Sequence, residues 1–236
     1  MDREDLAAVA MLDDDVRRAL HGFVRDADRP VTREDAATAV GISRKLAAFH
    51  LDKLVHVGLL LSRIEAVGEP KVGRTPRVYE PATRDVTVRV PPREPELLAA
   101  VLIEAVCSER ADESSRDAVL RVAQAKGASA GRRHRDHLRP GRLGPERAMG
   151  VAVDLLAQQG FEPARDTVGV RLRNCPFHPL VAAAPGLVCG MNHAYQCGIL
   201  QGLQADGALE AVLVPPDGAC CVELRLRAPN RQPAKP

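Results

Sequence analysis

Between Thr32 and Gly58 the sequence carries helix punctuation so closely spaced that few folds accommodate it. Thr32 followed by Asp35 has the form of a capping box with Asp in place of Glu. A short helix over residues 33–40 stops at Gly41, and Ser43 then caps a longer helix over 44–57 that Gly58 closes. Leu46, Ala47, Leu51, Leu54 and Val55 are expected to point inward from the longer helix. Upstream, Asp13–Asp15 suit a helix N-terminus, and Val16, Ala19, Leu20, Phe23 and Val24 form an apolar stripe behind a weakly helical lead-in. Short helix, glycine-containing turn and longer helix together make the spacing of a helix-turn-helix.

The residues after Gly58 strengthen this. Residues 59–64 read as a strand, 69–76 as a basic turn and Arg77-Val78-Tyr79 as a returning strand, which makes a wing. The element order resembles the ArsR-like winged-helix regulators, a resemblance that implies a recognition helix in the DNA major groove. Charge agrees: the longer helix carries Arg44, Lys45 and Lys53 against Asp52, and the wing Arg63, Lys71, Arg74 and Arg77 against Glu65 and Glu69. Ser43, Arg44, Lys45 and Ala48 are placed to reach base edges, Arg44 being the best candidate for a bidentate guanine contact. His50 and Lys53 complete the helix's candidates, with His50 more in keeping with a packed or phosphate-facing role. Lys71, Arg74 and Arg77 are expected on phosphate or in the minor groove, setting affinity rather than sequence.

Beyond a short alternating strand at 83–90, Pro91-Pro92-Arg93-Glu94-Pro95 marks a boundary. The helix over 96–107 is apolar round too wide an arc for a surface helix, which suits dimerisation or burial equally, with Cys107 a structural residue near its end. A helix follows over 114–126, and then a loop-like basic segment from Gly127 to Gly144. Farther on, a helix is expected over 146–159, a strand over 168–172, a helix over 187–203 and strands over 209–214 and 219–226. The expected fold class is therefore α+β. It comprises a winged helix-turn-helix domain (1–90), a dimerisation region with a basic loop (91–145), a cysteine-rich sensor domain (146–228) and a disordered tail (229–236).

Five of the six cysteines lie between Cys175 and Cys221. No signal peptide is visible, and no apolar run approaches the ~18 residues of a membrane span, so a cytoplasmic, non-membrane protein is expected. Under reducing conditions such cysteines read as metal or redox ligands, and thiolates select zinc, copper(I) or iron–sulfur clusters. No Cys-x2-Cys knuckle occurs, so the ligands must converge through the fold. Cys189, His193 and Cys197 recur at helical i, i+4 and i+8, while strand alternation sends Cys220 inward and Cys221 to the other face.

Asn174-Cys175-Pro176-Phe177-His178, then Cys189-Gly190-Met191-Asn192, then Cys220-Cys221-Val222, behind an ArsR-like winged helix, resembles the SufR family of iron–sulfur assembly repressors, actinobacterial branch. The resemblance spans nearly the whole chain. It implies a homodimer that binds a palindromic double-stranded operator and represses suf genes while a [4Fe–4S] cluster is bound. Cys175 and Cys189 match the first two family ligands, and Cys220 or Cys221 the last. A further family cysteine has no counterpart here, leaving His178, His193, Cys197 or the second paired cysteine for the fourth position. A zinc or thiol-redox sensor on the same winged helix is the alternative. The chain carries no nucleophile elbow, Walker loop, HExxH or dinucleotide-binding glycine turn, so no enzyme is expected.

Overall fold

The structure is a computed structural model and describes residues 3–65, 75–139, 141, 143–167, 169–214 and 220–227. It is a mixed α+β chain with two small antiparallel sheets, divided into two compact units, Met1–Arg89 and Val90–Pro236.

The first unit runs α1 (Arg3–Met11), α2 (Asp15–Arg25), β1 (Val31–Thr32), α3 (Arg33–Val40), α4 (Arg44–His56), β2 (Leu60–Ile64) and β3 (Arg77–Pro81). The punctuation works as expected: Thr32 and Asp35 exchange side-chain and backbone hydrogen bonds, both 3.1 Å. Gly41 takes φ +72°, a left-handed value that glycine adopts without a Cβ penalty, and Ser43 Oγ accepts from the Leu46 N–H. Leu20, Val24, Ala47, Leu51, Leu54, Leu60 and Tyr79 close the core, and β3 pairs between β1 and β2. The segment joining β2 to β3, with Lys71 and Arg74, lies outside the described residues. Residues 83–90 form no strand, because their alternation finds no neighbouring strand to pair with among the described residues.

The second unit runs α5 (Pro95–Cys107), α6 (Ser115–Leu138), α7 (Pro145–Gln158), β4 (Pro163–Arg165), β5 (Gly169–Leu172), α8 (His178–Val181), α9 (Pro185–Gly202), β6 (Leu209–Leu213) and β7 (Val222–Leu226). Its sheet has the order β4-β5-β7-β6, so the last strand lies between β5 and β6. One core joins α5, α6 and α7 to the cysteine-bearing segments, through Leu98, Val122, Leu156, Leu172, Met191 and Leu224.

The expected loop at 127–144 is corrected: helix α6 continues unbroken to Leu138. Gly127 and Gly131 look like breakers locally, but they are sites of close approach to α9. A Cβ on Gly127 would lie 2.0 Å from the Tyr195 carbonyl oxygen, and one on Gly198 2.0 Å from that of Gln124. Gly131 and Gly202 make the matching contacts one turn on. The two Gly-x3-Gly pairs bring the helix backbones together, and the packing gained outweighs the roughly 1 kcal/mol helix cost of each glycine.

Candidate functional site

The second unit assembles its thiols from three separate stretches. Cys175 stands in the loop after β5, Cys189 in the first half of α9, and Cys220 and Cys221 just before β7. Strand order explains why they meet: the chain approaching β7 must pass the end of β5, and the Cys220 N–H donates to the Leu172 carbonyl at 2.9 Å. Val214, beyond β6, donates to the Cys221 carbonyl at 2.9 Å and fixes the other side.

The expected division between Cys220 and Cys221 is corrected here. Alternation requires a strand, and β7 begins only at Val222, so both cysteines are free to turn inward and both are buried. All six cysteines are free thiols. Four of them form a chain of hydrogen-bonding contacts in the order Cys175, Cys220, Cys221, Cys189.

The shifts alternate in direction along that chain. Donation from Cys220 pulls the Cys175 thiol below its ordinary range, against the effect of burial. The Phe177 backbone and the Arg93 cation also lower Cys175. Cys221 is drawn down to about 6, chiefly by Cys220 and further by Cys189 and Asn192. Cys220, standing between the Cys175 and Cys221 sulfurs and buried, is pushed far up, and burial with the Cys221 contact pushes Cys189 up to about 12. A buried pocket does not readily hold four like charges, so neighbouring sulfurs shift in opposite directions.

Sequence reasoning overlooked the polar backing of these thiols. Asn192 is 0% exposed, and its side-chain N–H donates to Cys220 Sγ at 3.2 Å while Gln196 donates to its oxygen at 3.1 Å. The available signal was two amides on the buried face of α9, one of them three residues after Cys189. Asn174 and Arg93, beside Cys175, were likewise given no role.

The other metal-ligand candidates lie elsewhere. His178 is exposed in the first turn of α8. His193 hydrogen-bonds the Ala211 carbonyl at 3.0 Å and stands 3.6 Å from Cys197, both lining a cleft of about 500 Å³ with Asp206, Glu210 and Arg227. Burial pushes the Cys197 thiol up. Cys107 is exposed at the end of α5 rather than in the core, because α5 turns Leu98, Val101 and Ala105 inward and leaves Ile103, Val106 and Cys107 outside.

Among the described residues no three His, Cys, Asp or Glu side chains close on one point as a single-ion site. The donor set itself, four sulfurs in a chain with the Asn192 amide donating to it, has the chemistry to hold a thiolate-bound metal group.

In the first unit, Ser43 is committed as the cap of α4, and Arg44 and Lys45 are exposed beside it. Arg44 stands 3.6 Å from Glu34, Ala48 is half-buried, and Lys53 lies 4.3 Å over the Phe49 ring. Arg77 bonds Asp52 at 3.0 Å and Ser62 at 2.7 Å, which orients its guanidinium across β2 and α4. His50 is 8% exposed and belongs to the packed face, as helical phase dictates with Ala47, Leu51 and Leu54. Its place outside is taken by Phe49, and Leu46, expected inward, lies at the edge of the buried arc and is exposed. No helix is long and apolar enough to cross a membrane among the described residues. Compared with known proteins, the chain matches no family model and no curated protein.

Proposed function

We propose that this chain is a cytoplasmic, homodimeric winged-helix repressor of iron–sulfur assembly genes, gated by a [4Fe–4S] cluster on Cys175, Cys189, Cys220 and Cys221. The observation that carries the reading is the meeting of four thiols from three separate stretches, three of the four buried, backed by the Asn192 amide. Inert core cysteines need no such backing, and a catalytic cysteine needs one thiol rather than four. His193 and Cys197, paired with each other, leave the fourth position to the second of the adjacent cysteines. A [4Fe–4S] cluster bound there supplies a redox- and iron-sensitive link between the three stretches.

The protein's own parts do the rest. Cys175 fixes the loop after β5, Cys189 fixes α9, and the paired cysteines fix the approach to β7, so one conformation of the unit is favoured when all four are engaged. The outward face of α5, with Ile103 65% and Val106 76% exposed, supports association with a second copy. Two α4 helices, each led by Arg44 and Lys45, would then address half-sites about 34 Å apart on a palindromic operator.

The test is direct. Protein reconstituted anaerobically with ferrous iron and sulfide should be brown and carry iron and sulfide in equal amounts. It should bind a duplex selected from a randomised pool with steep salt dependence. Cys175→Ser and Cys189→Ser should lose both cluster and loading-dependent binding. Colourless protein with stoichiometric zinc, or mutants that bind as the loaded wild type does, overturns the cluster. Absence of salt-dependent duplex binding overturns the repressor.

A further inference from the structure

We propose that Asn174 and Arg93 form a latch that couples engagement of the thiol site to the segment joining the two units. Both act as positioning residues, not as ligands. The inference rests on the sensor reading above and names the route by which that sensor reaches the DNA-binding unit.

The first unit ends at Arg89, and Pro91-Pro92-Arg93-Glu94 carries the chain into α5. This connector is bonded to the residues that hold Cys175. The Asn174 side-chain N–H group donates to the Pro92 carbonyl at 2.9 Å and to the Gly160 carbonyl at 2.6 Å. Its side-chain oxygen accepts from Arg93 Nη1, which also donates to the Cys175 carbonyl at 2.9 Å. The Glu94 N–H donates to the Pro176 carbonyl at 3.1 Å. Residues 92–94 and 174–176 are therefore joined by hydrogen bonds through every residue of both triplets.

Chemistry fixes the sense of the Asn174 amide. Two carbonyls stand on one side and a guanidinium on the other, so only one orientation satisfies all three partners. Asn174 is buried, and the corner at Gly160 is packed against the connector: at its φ of +82°, a Cβ would come within 2.9 Å of Pro92. Water is thus poorly placed to replace a lost partner. A buried polar group left without one costs about 1–3 kcal/mol, so Asn174 moves with the connector or not at all.

The backbone of Cys175 is consequently shared. Its sulfur belongs to the thiol chain, and its carbonyl belongs to the latch. A displacement of the Cys175 loop, when the four sulfurs gain or lose a common partner, is imposed on Arg93 and the connector. Coupling free energies of this kind correspond to about 5- to 150-fold in affinity.

The test uses the full-length chain as wild type, Asn174→Ala, Arg93→Ala and Arg93→Lys. Each is prepared cluster-free and reconstituted anaerobically with ferrous iron and sulfide. Iron, sulfide and the visible spectrum measure loading, affinity for the selected duplex is measured in both states, and hydrogen exchange follows the Glu94 amide. Compared with wild type at equal loading by iron and sulfide content, Asn174→Ala and Arg93→Ala should exchange Glu94 at least tenfold faster and bring the loaded-to-free affinity ratio within about threefold of one. Arg93→Lys, keeping a cation and donors, should recover most of the ratio. A fully loaded Arg93→Ala or Asn174→Ala protein with the wild-type ratio overturns the latch. If the wild type neither loads nor binds duplex, the sensor reading falls, and Glu94 exchange still decides: protection unchanged by Asn174→Ala overturns the latch as well.

Discussion

Gly198→Ala tests whether the thiol site depends on backbone contact between α6 and α9. The added methyl carbon would lie 2.0 Å from the Gln124 carbonyl oxygen and 2.8 Å from the Ala128 nitrogen. Neither atom belongs to a side chain that can rotate away, so the two helices must separate by at least about 1 Å. A gap of that size forfeits a quarter to a half of each affected dispersion contact along the interface. Overpacking a tight core typically costs about 1–3 kcal/mol, and a clash with main chain belongs at the top of that range. We expect a loss of about 3 kcal/mol, partly offset by the better helix propensity of alanine. For a unit of this size that lowers its midpoint by roughly 6–12 °C. Calorimetry on the full chain should show the shift in the transition of the second unit, with the first unmoved. Gly150→Ala on α7 is the control, since a Cβ there meets nothing within 4 Å, and it should stabilise slightly. A Gly198→Ala midpoint within about 2 °C of wild type would refute the close-contact argument.

Three further expectations concern named groups. Arg44→Ala should weaken binding to the selected duplex by about 1–3 kcal/mol and relax the preference at one base position, whereas Arg77→Ala should lower affinity for all sequences and flatten the salt slope; competition titrations separate the two. Burial beside the Asp52 carboxylate pushes the Tyr79 phenol up to about 12. The phenol of the unfolded chain ionises near 10, so its contribution is complete below pH ~10 and is lost as pH rises towards ~12. Tyr79→Phe should therefore abolish that part of the alkaline loss, and a wild-type-minus-Phe difference in midpoint that stays constant through this window would contradict the assignment. Ile103→Lys should leave the fold within about 0.5 kcal/mol of wild type yet convert the proposed dimer to a monomer in sedimentation, and a dimer that persists would remove α5 from the proposed interface.

Legibility in the sequence tracks the range of the interaction. The capping box at Thr32 and Asp35, the left-handed Gly41 and the Ser43 cap depend on neighbours three residues away, and all are readable. Residues 127–138 read locally as a loop because the partner of Gly127 and Gly131 lies on α9, some seventy residues on, although the matching Gly-x3-Gly at 198 and 202 offers a clue. Alternation fails at Thr83–Val90 for want of a pairing strand, and at Cys220–Cys221 because the strand starts only at Val222. His50 takes the packed one of the two roles expected of it, and the outward phase of Phe49 inverts what residue type suggests; the packed arc of α4 decides both.

The dispersal of the site's thiols has a physical consequence. A Cys-x2-Cys knuckle can grip a metal on a short loop before the rest of the chain is folded. Here thirteen residues separate Cys175 from Cys189, and thirty separate Cys189 from Cys220. Cys175 and Cys220 meet only once β7 has inserted between β5 and β6, and Cys189 reaches Cys221 only if α9 sits correctly on the sheet. The position of α9 in turn rests on its glycine contacts with α6. Thiol convergence is therefore a product of the complete tertiary structure, and whatever binds the four sulfurs stabilises all of it at once. Such a centre reports on the conformation of its whole unit rather than on a loop, which suits a switch better than a structural staple. It also explains why the sulfurs, though conspicuous in the sequence, carry no short-range motif.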